Sequence, residues 1–497
     1  MKNINKILFV FLIAILSGCN DAIDIRQVGR LDAANAFRDV DDLRSGLLAV
    51  YDQIDVTPEH ALSSNFTDEI AIGFDSGGQG FALYDFVLNA ASTAAFDFWV
   101  RGFRANHRAT VLIEAAQVIT PDAAELADYN NILAQAHFLR AFANFELTIY
   151  FSPDPSDDST LAVPRIDFIA GLDIQPRRNT TGEMFEYINS DLQTAMSLSN
   201  VQSNPIFVSM DAINALRARI ALTRGDYTTA NSLATQLLNS YGIANRTQYV
   251  NMFFDADDTE IIWKLERTLN DNYDGQGATG SVSAGGWAGA RYAFVNATLA
   301  GSPYFEMDRS VFDLLDPADV RFDVNVAPTS VISGDYPNDP DPINNDILVI
   351  QKYPGSEGRP LMNDLKIFRS SEMLLIAAEA RVRASSDLAG AAALIDQLRD
   401  ARFGSNQAAP TYNSVQEALQ GILTERKIEL CYEGHRYKDL KRVGTAAGVG
   451  IDRDPIACNL QSGACTLPAS DFRFTLPIPI VEINANPGIA DEQNPGY

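Results

Sequence analysis

The chain has 497 residues, with 38 lysines and arginines against 64 aspartates and glutamates and a formal net charge of −26. Such acidity excludes nucleic acid and anionic lipid as default partners and disfavours polyanions, although a local basic pocket can override the global field. The length is ample for a large core.

The first segment is a leader. Lys2 and Lys6, an apolar run over 7–16 and then Leu16-Ser17-Gly18-Cys19 describe a secretory signal ending in a lipoprotein box. The run is shorter than the ~20 apolar residues a membrane span requires. Residues 1–18 are therefore read as a signal peptide and 19–30 as a tether. Cys19 is the expected lipidation site, against the alternative of an ordinary secretory signal carrying an accidental cysteine. A chain held only by lipid lies on the membrane without crossing it. Loss of the two leader lysines leaves 36 basic against 64 acidic residues, or −28.

Helical periodicity dominates the rest of the chain. Leu43, Leu47, Val50 and Ile54 recur on one face, as do Phe138, Phe142, Phe145 and Ile149. Residues 57–95 break the pattern with Phe74, Gly77, Gly78, Gly80, Phe81 and Tyr84, and read as a loop. Residues 212–223 and 227–239, joined by Arg224-Gly225-Asp226, look like a tetratricopeptide pair with Ala215, Ala221, Ala230 and Ala234 at the crowded positions. Residues 374–383 and 388–402 suggest another pair. Helical pairs cannot bury their faces alone and need neighbours. Between them, 270–304 is rich in Gly, Asn, Asp and aromatics, and 328–346 in Asp, Asn, Pro and Ser. Irregular segments longer than ~12–15 residues are uncommon unless they function, so the ligand site is expected on these insertions.

Cys458 and Cys465 bracket six polar and small residues, a spacing that in an oxidising compartment reads as a local disulfide stapling a hairpin. Cys431 sits among apolar positions and reads as a free buried thiol. Ile422, Arg426, Glu429, Glu433 and Arg436 follow helical spacing and are expected to form one stripe. Glu429 and Glu433 could be a catalytic carboxylate pair. An ion network with Arg426 and Arg436 is the preferred reading, because arginine lowers a carboxyl pKa and spoils a general acid.

The stretch over 419–442, LQGILTERKIELCYEGHRYKDLKR, closely resembles the C-terminal motif of the SusD/RagB family. FRSSEMLLIAAEARVR from Phe368, the closing LPIPIVEINANPGIADEQNPGY, HFLRAFANFELTIYF from His137 and EIIWKLER from Glu260 resemble further family landmarks, in the expected order. Gln135 departs from the family's usual glutamate, and the acidic segment after Tyr150 from its usual glycine. The resemblance implies a mostly α, tetratricopeptide-like scaffold with long irregular ligand-binding loops. It would form one SusD-like domain over 31–497, with helical scaffold at 31–260 and 360–445 and a loop-rich insertion at 265–350. It also implies a cell-surface, outer-membrane lipoprotein that captures oligo- or polysaccharide for a SusC-like TonB-dependent transporter and breaks no bond. Asp21 and Asp24 resemble the acidic tether of outer-leaflet lipoproteins in Bacteroidetes. The alternatives are peptide capture in the RagB manner, and a surface glycoside hydrolase.

Enzyme signals are few. His60, His107, His137 and His435 form no HExxH motif and have no partner at metal-ligand spacing. No nucleophile elbow or phosphate loop occurs. The Asp/Asn cluster over 335–346 could offer oxygens to calcium, but its prolines and lack of EF-hand spacing favour a solvated loop, so no cofactor is expected. Sugars present apolar CH faces for ring stacking and hydroxyls for polar groups. Trp287, framed by glycines, is the expected platform, with Tyr273, Tyr292, Asn272 and Arg291 beside it. Phe74, Phe81, Tyr84 and Asp68 form the expected second wall, whereas Trp263 and Trp99 are read as core and His137 as a satisfied core histidine. The overall acidity points to a neutral polymer such as a β-glucan. The lipoprotein box carries the first test: Cys19→Ala should move the protein from the membrane to the soluble fraction in cells lacking the transporter, and retention on the membrane would refute the anchor.

Overall fold

The computed structural model describes residues 36–73, 76–171, 173–199, 204–268, 271, 287–292 and 303–497. Ten helices build the scaffold: α1 (Val40–Tyr51), α2 (Thr57–Phe66), α3 (Thr93–Ala116), α4 (Leu126–Phe151), α5 (Thr181–Leu198), α6 (Met210–Arg224), α7 (Tyr227–Ser240), α8 (Ser370–Ser385), α9 (Leu388–Phe403) and α10 (Val415–Leu430). They pack as a chain of neighbours, α3 on α4, α4 on α5, α6 on α7, α7 on α8 and α8 on α9, with α10 closing on α8. The fold is the expected helical-pair scaffold.

The α6–α7 pair shows how local chemistry sets the turn. Gly225 ends α6 at φ 80°, a left-handed position that a side chain resists, and Asp226 accepts from the Thr229 N–H to open α7. Ala215, Ala221, Ala230 and Ala234 are buried, which lets the backbones approach. At the second pair α8 begins four residues earlier than the periodicity suggested, directly where a strand ends, and Asp387 caps α9 through the Gly390 N–H. Helix α4 is buried all round from Phe138 onward, its polar members Arg140, Asn144, Glu146 and Thr148 included, because other elements cover it on every side.

Four strands matter to the site. β1 (Ile70–Ile72) pairs antiparallel with β3 (Phe305–Met307), and β2 (Ile261–Leu265) with β4 (Leu365–Arg369). β2 is buried throughout, and Trp263 meets Phe138 and Phe142 edge-on at 5.2 and 5.3 Å. Trp99 is also buried, against Phe103 and Phe151, and His137 Nδ1 lies 2.7 Å from Asp191. The Trp263 and Trp99 expectations hold.

Several expectations need correction. Residues 57–66, read as loop, form α2, with Pro58 in the first turn where its missing N–H costs nothing. The stripe over 422–436 is not one helix: α10 stops at Leu430, Tyr432 and Gly434 take φ of 64° and 81°, and a new turn starts at Arg436. The Cys458–Cys465 disulfide is present as expected; it ties the short helix Pro455–Gln461 to the start of the strand Thr466–Leu467, within the connection of the antiparallel pair that this strand forms with Ile451–Asp452. Cys431 is free and buried, as expected. The 328–346 segment is anchored by the Val331↔Ile347 bridge and by Arg309, whose guanidinium lies 2.7 Å from Asp346.

Trp263→Ala should open a cavity in this core and cost ~3–5 kcal/mol. Denaturant titration against the parent chain measures it, and a loss under ~1 kcal/mol would show the ring is not packing-critical.

Candidate functional site

Glu429 and Glu433 are wholly enclosed by cations, though not by the ones the spacing suggested. Arg369 Nη1 lies 2.9 Å from Glu429 and 3.1 Å from Glu260, and its Nη2 2.8 Å from Glu433. Arg402 Nη2 reaches Glu260 at 2.7 Å and Glu429 at 2.9 Å, and Lys352 Nζ reaches Glu433 at 2.6 Å. Arg426 instead pairs with Asp439, and Arg436 with Asp68. Burial pushes the Glu429 pKa up, but Arg402 and Arg369 outweigh it and hold the carboxyl well below its ordinary range. Glu433 is lowered against the same burial by Arg369 and Lys352. Neither can donate a proton near neutrality, so the pair is no general acid.

The expected second wall divides. Asp68 is buried, with Arg436 Nε donating to Oδ1 at 2.8 Å and Lys427 Nζ to Oδ2 at 2.9 Å, so it locks the base of the loop and is removed from any ligand surface. Tyr84 is fully buried with the Arg453 guanidinium 3.7 Å above its ring, and is likewise corrected to core. Phe81 stays half-buried, and a Cβ on the preceding Gly80 (φ 79°) would strike the Phe305 ring at 2.5 Å. Phe74 lies outside the described residues.

Trp287 is half-buried, and its Nε1–H donates to the Thr268 carbonyl at 3.4 Å. Thr268 is fixed in turn by Asp271, which accepts from its N–H at 2.7 Å and its hydroxyl at 2.8 Å. Next along the chain, the Arg267 N–H donates to Asp364 and its guanidinium to Asp55, 3.2 Å away at the end of α1. The indole therefore rests on a backbone tied into the helical scaffold. Gly289, expected to frame Trp287 flexibly, serves close packing instead: a Cβ there would meet the Tyr353 carbonyl at 2.6 Å.

Tyr292, expected beside the ligand, is a core residue. Its ring stacks on Tyr353, and its hydroxyl sits 3.0 Å from the Ser64 hydroxyl and donates to the Tyr432 carbonyl at 3.4 Å. Asn272 and Tyr273 lie outside the described residues, and of Arg291 only the backbone, in the turn Gly289–Tyr292, is described. The structure does bring the bases of the two segments together: Tyr292 reaches α2, and the Gly73 N–H donates to the Tyr304 carbonyl at 2.9 Å beside the β1–β3 pair. Half-buried Phe305, at the start of β3, joins this edge. Sequence reading missed it; its one available signal was its position immediately after Tyr304.

Among the acids that burial raises, Glu266, two residues before Thr268, is exposed and is raised further by Asp364 and Glu357; the others lie inside the fold. Glu59 is pushed up to about 7 by burial and by Glu146, and Asp308 to about 6 by burial. Glu69 is raised to about 7 by burial, although the Tyr432 N–H donates to it. Glu59 and Glu146 line one small cavity of about 50 Å³, and Lys438 Nζ sits between them, 2.8 Å from Glu59 and 3.3 Å from Glu146. No described helix is long and apolar enough to cross a membrane.

Residues 331–497 match the family model described as the SusD family. The chain is 27% identical to SusD-like protein P2 of Formosa agariphila, over 99% of both chains. In fold it superposes on a SusD superfamily protein from Bacteroides thetaiotaomicron with a TM-score of 0.74 at 24% identity, covering 92% of this chain and 100% of that one. Surface glycan-binding protein A from Bacteroides fluxus gives 0.70 at 22%, covering 92% and 99%.

Glu69 yields a pH test. Its folded-state pKa lies above its ordinary 4.5, so its contribution to stability is present below about pH 4.5 and is lost as pH rises to about 7. Glu69→Gln should therefore stabilise the protein at pH 8 by on the order of 3 kcal/mol, and hardly at pH 4.5. Melting curves at the two pH values check this, and an equal shift at both would place Glu69 in water.

Proposed function

The chain is SusD-like, and from that premise we propose that it is a lipid-anchored, cell-surface protein that captures glycan without cleaving it. The observation that carries this reading is Trp287, a half-buried indole held on the Thr268–Asp271 turn, just before the Gly289–Tyr292 turn that packs against the strand beginning at Phe305. A ring presented this way offers a stacking face, and the amide- and hydroxyl-rich loop sequence around it offers partners for sugar hydroxyls. The structural neighbour from Bacteroides fluxus is a surface glycan-binding protein, which supports the ligand class.

Captured glycan is then passed to a SusC-like TonB-dependent transporter, over which the protein acts as a lid. A neutral polymer such as a β-glucan suits the strongly acidic chain. Binding without hydrolysis agrees with the arginine-locked state of Glu429 and Glu433 and with the enclosure of Glu69 and Asp308.

Trp287→Ala should weaken binding to a polysaccharide identified from a neutral-glycan panel at least tenfold, equivalent to about 1.4 kcal/mol or more, with an unchanged melting temperature. Incubation of the parent chain with that polysaccharide should release no reducing ends. A strongly lowered melting temperature with intact binding per folded molecule would make Trp287 a structural anchor. Steady release abolished by one carboxylate substitution would make the protein a hydrolase.

A further inference from the structure

A second open cleft, of about 750 Å³, lies far along the chain from Trp287, between the first half of α3 and the segments near Ile174 and Glu482. Its volume falls within the ~300–1,000 Å³ of small-ligand sites. Phe103 and Ile174 give it an apolar wall, with Trp99 beneath Phe103 at 4.9 Å between ring centroids. Ile174 is 44% exposed, and its loop also exposes Phe168 and Ile169, at 41% and 46%.

The charges around this cleft are unevenly satisfied. Asp52 accepts from Arg108 at 3.2 Å and from the Gln53 amide at 2.9 Å. Glu482 accepts from the Trp99 indole at 3.1 Å and the Asn486 amide at 3.3 Å. Arg104 and His107, one helical turn apart on α3 and both exposed, make no hydrogen bond or ion pair among the described residues. Asp52 Oδ2 and both Glu482 oxygens already hold donors, while the Arg104 guanidinium and His107 imidazole donors are open. In a mature chain of −28, an arginine left without a carboxylate beside an apolar wall selects a ligand that brings its own anion.

We propose that this cleft binds an acidic saccharide, with the carboxylate or sulfate ester taken by Arg104 and His107 and a sugar CH face laid on Phe103. The proposal is independent of the Trp287 platform. It gives the protein an anion-selective subsite that its global charge would not suggest. A guanidinium can hold a carboxylate or sulfate by two parallel N–H donors, and such charge-assisted bonds are roughly twice as strong as neutral ones.

Calorimetric titration of the full chain in detergent tests it with tetragalacturonate, a sulfated carrageenan tetrasaccharide, cellotetraose and tetraglutamate. At least one acidic sugar should bind tenfold or more tightly than cellotetraose, and the stronger of the two identifies carboxylate or sulfate. Arg104→Ala should weaken that binding at least tenfold with the melting temperature unchanged, Arg104→Lys should restore part of it, and Trp287→Ala should leave it intact. The proposal is overturned if neither acidic sugar binds, if cellotetraose or tetraglutamate binds equally well, or if Arg104→Ala has no effect. Loss of acidic-sugar binding on Trp287→Ala alone would also overturn it, moving the ligand to the platform and leaving the glycan-capture reading standing.

Discussion

The fold turns on a buried cluster in which three glutamates are neutralised by two arginines together with Lys352. Glu260 comes from the segment entering β2, Arg369 from the end of β4, Arg402 from α9, Glu429 from α10 and Glu433 from just beyond it, and all five are buried. The cluster thus sews the N-terminal helices, through Glu260, to the C-terminal ones. Removing one partner of such a buried set leaves an uncompensated charge and costs roughly 3–5 kcal/mol, whereas the intact set need not stabilise the fold relative to apolar side chains. Its clearest contribution is specificity: only one arrangement of these elements satisfies every charge.

The same cluster positions the binding side of the molecule. Lys352 Nζ donates to the carbonyls of Glu429 and Cys431, capping the end of α10, and Arg369 adds a bond to the Glu429 carbonyl. The chain then turns sharply at Tyr432, whose carbonyl accepts from the hydroxyls of Tyr292 and Tyr353. Tyr292 lies five residues after Trp287. The C-terminal motif that carries the resemblance to the SusD family is therefore also the ground on which the proposed platform stands.

The legible features of the sequence were local. The Gly225–Asp226 turn, the alternation around Trp263 and the spacing of Cys458 and Cys465 each carry their cause within a few residues. The misleading ones were long-range. The spacing over 422–436 is helical, yet Glu433 is drawn to Arg369 and Lys352, 64 and 81 positions away, and the chain takes two left-handed residues to deliver it. Asp68, Tyr84 and Tyr292 sit in polar, aromatic, loop-like sequence, which says nothing of which side of the loop faces in. Their burial is set by Arg436, Arg453 and Tyr353, partners that no local window contains. Trp287 was found by its glycine frame, although Gly289 is there for close packing.

The three tryptophans occupy three unlike surroundings. Trp263 is fully enclosed by phenylalanine edges, Trp99 is buried with its indole N–H on the Glu482 carboxylate, and Trp287 is half in water with its N–H on a backbone carbonyl. The enclosed pair supplies a blue-shifted fluorescence background that changes little while the fold is intact. Trp287 alone adds a red-edge emission open to collisional quenchers such as iodide or acrylamide. The molecule thus carries an intrinsic optical gauge, in which occupancy of the platform and integrity of the core register at different wavelengths without any attached dye.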